Sequence, residues 1–171
     1  MNQDSLNKIL KMNIRARWMP YKLDFKRPSG TSRGMLHSKV SYFLKITDLD
    51  NNISGIGEAG PLKGLSLDYD SVNRAGLELC DIINNGRELL VESLKPFPSL
   101  VFALEVVCME LCSGNKQELI ENSFSKGSGI PINGLIWMGD SQFMDEQINA
   151  KLSEGYSCIK MKIGAIDFKK E

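Results

Sequence analysis

The sequence lacks the marks of several large classes of protein. Basic and acidic residues are equal at 21 each, so nothing in the charge favours nucleic acid or an anionic membrane surface as a partner. No apolar run approaches the roughly 20 residues that span a bilayer. Residues 1–11 are polar and have no long apolar core of the kind typical of a secretory signal. We therefore expect a globular chain that binds neither nucleic acid nor membrane.

Histidine and paired cysteines are also scarce. His37 is the single histidine, and none of the four cysteines forms a CxxC pair. Cys108 and Cys112 are four residues apart and share a helix face, but a zinc site needs more ligands, and a free cysteine packs as a small apolar residue. With Cys80 and Cys158 they are expected to be free thiols, which indicates a reducing, cytoplasmic setting.

Alternating apolar residues predict three strands at the start of the chain, over residues 12–25, 39–48 and 53–58. Pro20 is expected to interrupt the first of them. The Asp50-Asn51-Asn52 run favours a hairpin turn between the last two. Residues 27–34, RPSGTSRG, are rich in glycine, serine and proline and predict a mobile loop. Together these segments predict a three-stranded antiparallel meander.

Helical periodicity follows the strands. It predicts helices over residues 71–84, 99–112 and 116–122, with Ser99 as the N-cap of the second. Residues 125–129, SKGSG, are small and typical of a linker. The pattern then changes to a short strand over 130–136, a helix over 141–154 with Asp140 as its N-cap, and a strand over 158–163. Strand, helix and strand with short links predict a βαβ unit and a parallel sheet. Residues 167–171 are expected to open a further helix.

Two lysines stand two residues apart in the last predicted strand. Lys160 and Lys162 should project from one face, while Ile159, Met161 and Ile163 fill the other. Two adjacent ammonium groups repel, and partial burial adds desolvation, so the pKa of such a lysine falls towards that of a general base. The alternative is a sheet edge with one solvated, lysine-rich face.

Four segments resemble the enolase superfamily, and within it the muconate-lactonizing-enzyme group. They are GIGEAGPL at 55–62, SLVFALE at 99–105, PINGLIW at 131–137 and IKMKIG at 159–164. The runs TSRG at 31–34 and INGLIWMG at 132–139 are similar to the o-succinylbenzoate synthases of that group. The resemblance implies an α+β capping domain over residues 1–128 and the beginning of a TIM-like barrel over 129–171. A complete barrel takes about 250 residues, so we expect the N-terminal part of a longer enzyme.

The resemblance also implies a chemistry. Family members remove a proton α to a carboxylate and stabilise the enediolate with Mg²⁺. The synthases then dehydrate 2-succinyl-6-hydroxy-2,4-cyclohexadiene-1-carboxylate to o-succinylbenzoate in menaquinone biosynthesis. By match to the motif, Lys162 would be the base, and Lys160 would lower its pKa and neutralise substrate charge. The family's metal ligands lie on later strands, so we expect no metal ligand in this chain, and neither Mg²⁺ binding nor synthase activity from it alone.

Two capping-domain loops carry substrate specificity in the family and correspond here to residues 27–34 and 60–67. The alternative for Arg33 is a solvated loop position without a ligand, and the alternative for Gly60, Leu62 and Leu65 is ordinary loop packing. The predicted substrate-binding residues are Arg33 (for the succinyl carboxylate), Ser32, Gly60, Leu62, Leu65 and Trp137, with Met138 beside the last.

Two other readings stay open. An N-succinylamino acid racemase or dipeptide epimerase of the same group would use the same lysine on a different substrate. A non-catalytic α+β binding domain would keep the fold and lack the chemistry.

Overall fold

A computed structural model of the chain describes residues 3–31, 34–114, 120–162 and 167. The chain divides into two compact units. Unit 1 consists of Met1–Leu23 and Lys39–Glu121, and unit 2 of Asp24–Ser38 and Asn122–Glu171. Within the described parts of the chain, no helix combines the length and apolar character that crossing a bilayer requires.

The first sheet has three strands in the order β1-β2-β3, as predicted: β1 Ile14–Thr31, β2 Gly34–Asp48 and β3 Ile53–Ala59. The β2–β3 pair is antiparallel. The prediction that Pro20 interrupts β1 was wrong. A proline is tolerated on a strand with a neighbour on one side, because its missing N–H can face away from the ladder. The loop predicted over 27–34 was also wrong for most of its length, since strand pairing prevails there over local composition.

The turn between β2 and β3 is held by an aspartate, and the hairpin prediction is confirmed. The Asp48 carboxylate accepts hydrogen bonds from the backbone N–H groups of Asp50 (3.0 Å) and Asn51 (3.3 Å) and from the Asn51 side chain (2.7 Å). The Asn51 side-chain bond is the main reason that the pKa of Asp48 lies below its usual value. Asn52 takes the left-handed backbone conformation, with φ at 55°, which asparagine tolerates.

Four helices accompany this sheet: α1 Gln3–Leu10, α2 Val72–Asn84, α3 Val91–Leu94 and α4 Pro98–Ser113. The predictions of α2 and α4 are confirmed within a residue or two. No helix was predicted at α1 or α3. The first has a polar composition whose two buried positions, Leu6 and Ile9, are too few for a strong periodic signal.

Ser99 is not the N-cap of α4. The helix begins one residue earlier, at Pro98, and Phe97 occupies the N-cap position. Pro98 suits the first helical position because its missing N–H has no intrahelical partner there. The helix ends at Gly114, whose φ of 63° is the left-handed conformation that glycine adopts without strain.

The core of unit 1 lies where α4 packs on β3. Gly55 and Gly57 are buried, and a Cβ at either position would clash with a main-chain carbonyl oxygen of α4, that of Val107 or Ala103 respectively. Two glycines at alternate strand positions therefore let the helix backbone approach the sheet closely. The largest fully buried apolar side chains of this core are those of Leu6, Leu44, Ile46, Leu79, Leu100 and Leu104.

Unit 2 contains the predicted βαβ arrangement. Strands β4 Gly134–Ile136 and β5 Ile159–Met161 are parallel, and α5 Ser141–Ser153 lies between them in the chain. Both strands are shorter than predicted, and Ile163 lies outside the described residues. The prediction that Asp140 caps α5 is confirmed, because its carboxylate accepts a hydrogen bond of 2.9 Å from the Phe143 N–H.

Two weaker helix predictions fare differently. Residues 120–122 are not helical, while the rest of the helix predicted over 116–122 lies outside the described residues. Of the helix predicted over 167–171, only Asp167 is described, and it belongs to no helix. The domain boundary at residue 128 stays a prediction.

Candidate active site

The lysine pair lies at the carboxyl end of β5. Lys160 is in the strand, opposite Leu135 of β4, and is exposed, while Lys162 directly follows the strand and is half-buried. Ile159 and Met161, which alternate with them, are also half-buried. In parallel sheets the carboxyl ends of the strands are where ligands bind, so this is the edge at which a basic lysine can meet a substrate.

Trp137 is the nearest aromatic partner of this pair. The last residues in the β4–β5 register are Ile136 and Met161, and Trp137 and Lys162 each come one residue later. The Lys162 ammonium nitrogen lies 5.4 Å from the centroid of the Trp137 ring, within the distance of a cation–π interaction. Strand register therefore brings the predicted base against a predicted substrate-binding residue.

Gln147 of α5 holds the backbone of Trp137 in place. Its side-chain oxygen accepts a hydrogen bond of 2.9 Å from the Trp137 N–H, and its amide nitrogen donates to the carbonyl oxygens of Trp137 and Phe143, each at 3.1 Å. Gln147 was not among the predicted functional residues. A lone glutamine ten residues after the tryptophan gives no sequence signal, because the contact depends on how α5 returns past the end of β4.

A cavity of about 400 Å³ opens beside Trp137 within unit 2. Arg27 contributes a cation to it, and its guanidinium carbon lies 4.9 Å from the centroid of the Phe143 ring. A cleft with aromatic walls and a few cations suits a small anionic molecule. The residues that line it are Phe25, Lys26, Arg27, Pro28, Ser29, Trp137, Met138 and Phe143.

A second cavity, of about 590 Å³, lies in unit 1, and Gly60 and Leu65 are among its lining residues. Glu58 lines it as well, and one oxygen of this carboxylate accepts a hydrogen bond of 2.6 Å from the Ser41 hydroxyl. The Lys39 ammonium lies 3.6 Å from the same oxygen. Of the predicted substrate-binding residues, Gly60 and Leu65 thus line a cavity of unit 1, and Trp137 lines a cavity of unit 2.

The remaining predicted substrate-binding residues are Leu62, Ser32 and Arg33. Leu62 is half-buried and lines neither cavity. Ser32 and Arg33 fall outside the described residues. Arg27 and Phe143 line the unit 2 cavity without having been predicted individually, although Arg27 belongs to the loop segment 27–34 that was.

The described residues offer no ligand set for the Mg²⁺ that the resemblance implies. Among them, no three histidine, cysteine, aspartate or glutamate side chains lie close enough to hold a metal ion. The residues that the structure describes do not by themselves fit the metal.

The four cysteines are free thiols in two environments. Burial raises the pKa of Cys80 to about 11 and that of Cys108 to about 12, so both stay protonated near neutral pH. Cys112 and Cys158 are exposed.

Comparisons with known proteins show which proteins the chain is similar to. No family model matches it. It is 41% identical to an o-succinylbenzoate synthase from Desulfotalea psychrophila over 87% of its own length and 49% of that protein. The crystal structure of MenC from the same organism superposes with a TM-score of 0.69 and 32% identity, covering 88% of this chain and 49% of that one. The chain thus spans about half the length of the curated relative that it matches.

Two further solved structures share the fold at lower identity. An o-succinylbenzoate synthase from Thermosynechococcus elongatus, complexed with Mg in its active site, has a TM-score of 0.56 at 21% identity and covers 91% of this chain and 45% of its own. An N-succinyl Arg/Lys racemase from Bacillus cereus has a TM-score of 0.60 at 18% identity and covers 91% of this chain and 45% of its own.

Proposed function

The chain belongs to the enolase superfamily, and we propose that it supplies the proton-abstracting lysine of an o-succinylbenzoate synthase-like enzyme. The reaction is the dehydration of 2-succinyl-6-hydroxy-2,4-cyclohexadiene-1-carboxylate in menaquinone biosynthesis, which makes the enzyme a carbon–oxygen lyase acting on a small carboxylate in the cytoplasm. We propose further that residues 1–128 are a capping domain and that 129–171 begin a TIM-like barrel.

One observation carries the proposal. The chain is 41% identical to an o-succinylbenzoate synthase, and its two closely spaced lysines come at the carboxyl end of β5 in a parallel β4–β5 pair. That end is where the active sites of barrel enzymes lie. Lys162 lies against Trp137, which lines the unit 2 cavity. A general base must reach its substrate, whereas a lysine on a solvated sheet edge need not lie beside a cavity.

Lys162 in its neutral form takes the proton from the carbon next to the substrate carboxylate. The C–H electron pair then moves into the ring, the C–O bond of the adjacent hydroxyl breaks, and the departing hydroxide takes up the proton that Lys162 received and leaves as water. Lys160 places a second positive charge beside the negative charge that develops on the carboxylate. Trp137 walls the reacting ring, and Arg27 or Arg33 pairs with the succinyl carboxylate.

Mg²⁺ is proposed as the cofactor of the complete enzyme, as in the Thermosynechococcus elongatus synthase with Mg in its active site. The metal would offset charge on the carboxylate oxygens. Its ligands are expected on the later strands of the family fold rather than among the described residues.

The test is a chimera in which residues 1–171 replace the matching half of the Desulfotalea psychrophila synthase. We expect the chimera to dehydrate the cyclohexadiene carboxylate and the isolated 171-residue chain to show no turnover. Circular dichroism and a thermal transition check that the chimera folds. A folded chimera without turnover, or robust turnover by the isolated chain, would contradict the proposal.

Racemisation of N-succinylamino acids or epimerisation of dipeptides is the second candidate, because the Bacillus cereus racemase shares the fold. The same chimera, assayed on these substrates, separates the two. Higher kcat/KM on N-succinylamino acids or dipeptides would favour the second candidate. A folded chimera inactive on all three substrate classes would favour a non-catalytic α+β binding domain.

A further inference from the structure

We propose that Trp137 is a positioning residue for Lys162: the indole face holds the ammonium group at the carboxyl end of β5, and Gln147 fixes the Trp137 backbone that carries the indole. The inference rests on the proposed function, in which Lys162 is the base. It assigns Trp137 a role in addition to that of a cavity wall.

Packing alone does not explain where Trp137 lies. Its side chain is 46% exposed, whereas a tryptophan held by the core is mostly covered. Its backbone, in contrast, is fixed by the two hydrogen bonds with Gln147. Two hydrogen bonds thus fix the backbone of a residue that is itself half-exposed, and the ring that this backbone carries lies against the Lys162 ammonium.

The charge of Lys162 has no other partner in the part of the chain that the structure describes. No acidic side chain there forms an ion pair with it. Lys151 gives the comparison within the same unit, since its ammonium lies 5.1 Å from the centroid of the Tyr156 ring and also pairs with Glu154 at 2.6 Å. Lys151 is therefore held mainly by the Glu154 carboxylate, whereas the partner of the Lys162 ammonium among the described residues is the Trp137 ring.

An aromatic partner suits a general base better than a carboxylate does. A carboxylate beside the lysine would strongly favour its charged form and hold the proton that the base must give up. A ring face contributes only about 0.5–1 kcal/mol at an exposed site, so it favours one position of the ammonium group and opposes the loss of its proton only weakly. A base held within reach of its substrate avoids the losses of about 10²-fold that misplacement by 1 Å can cause.

The test on the 171-residue chain is ¹⁹F NMR with 5-fluorotryptophan. The chain has two tryptophans, and Trp137→Phe assigns their resonances. We expect Lys162→Met to shift the Trp137 resonance and leave that of Trp18 unchanged. Lys160→Met is the matched control, because it removes the same charge two residues earlier, within β5, and should shift the Trp137 resonance much less.

A second measurement keeps the lysine and its positive charge. Reductive methylation with ¹³C-formaldehyde keeps the charge of each lysine, and the dimethyl-Lys162 signal, assigned with Lys162→Met, should show an upfield ring-current shift. Trp137→Leu should abolish that shift and Trp137→Phe should retain part of it. Gln147→Leu should reduce it, while Gln142→Leu, on the same helix, should not.

Kinetics of the active chimera separate positioning from substrate contact. Trp137→Leu should lower kcat about tenfold or more with a smaller change in KM, and Trp137→Phe should restore most of kcat. The positioning role would be overturned if Lys162→Met left the chemical shift of the Trp137 resonance unchanged and dimethyl-Lys162 showed no ring-current shift. Those outcomes do not depend on catalysis, so they are distinct from failure of the proposed function, which would appear as full activity of a Lys162 variant.

Discussion

Asp68 and Ser99 are joined by two hydrogen bonds across 31 positions of sequence. The Asp68 carboxylate, fully buried, accepts from the Ser99 backbone N–H at 2.8 Å and from its hydroxyl at 2.9 Å. Ser99 is in the first turn of α4, where the N–H groups have no intrahelical acceptor. Asp68 therefore caps α4 from outside the helix, and its negative charge lies at the positive end of the helix dipole.

Asp68→Ala should destabilise unit 1. The substitution leaves the N–H and the hydroxyl of the half-buried Ser99 without their acceptor, so the free energy of unfolding should fall by about 1–3 kcal/mol. Urea denaturation followed by circular dichroism measures the change. Asp70→Ala, at an exposed position two residues away, is the matched control and should have little effect; equal losses from both variants would contradict the capping role.

Gly57→Ala tests the close packing of α4 on β3. The added Cβ would overlap the Ala103 carbonyl oxygen, so helix and strand must separate, at a cost of about 1–3 kcal/mol in the free energy of unfolding. Gly129→Ala adds the same methyl group where nothing lies within 4 Å. Thermal melts of both variants make the comparison, and a Gly57→Ala protein as stable as the parent would refute this account of the core.

The buried thiols predict a loss of stability at alkaline pH. Burial raises the pKa of Cys80 to about 11 and of Cys108 to about 12, whereas an unfolded thiol ionises near a pKa of about 8.5. Below that value the thiols are protonated in both states. As pH rises further, the unfolded chain loses their protons first, so the free energy of unfolding falls until pH passes the folded pKa values.

Urea titrations between pH 8 and pH 10.5 measure this slope, whose limit is about 1.4 kcal/mol per pH unit for each thiol. The Cys80→Ala, Cys108→Ala double variant should flatten the slope, whereas Cys112→Ala, at an exposed position, should not. An unchanged slope in the double variant would show that other groups cause the alkaline loss.

Local patterns were enough where the contacts are local. The turn over Asp50-Asn51-Asn52, the Asp140 cap of α5 and the βαβ order around the lysine pair each depend on residues a few positions apart, and all three were predicted. The choice of lysines came from spacing within one strand, which also fixes which face they share.

Contacts between distant segments were not predictable in the same way. Ser99 was predicted to cap α4, but the acceptor comes from Asp68 and Ser99 is the donor. Gln147 holds Trp137 only because α5 returns past β4. Pro20 predicts a break in the strand, and only the sheet order shows that β1 has a neighbouring strand on one side alone, where a proline is tolerated. In each case, the deciding partner lies outside the window of local propensity.

The central claim is that Lys162 is the general base. Its most direct measurement is the kcat of the chimera carrying Lys162→Ala, compared with Lys11→Ala, which removes an exposed lysine of unit 1 outside both specificity loops. The account predicts that Lys162→Ala lowers kcat by about 10²- to 10⁴-fold in a folded protein, while Lys11→Ala leaves it within about twofold. A folded Lys162→Ala chimera that keeps the parent's turnover would contradict it.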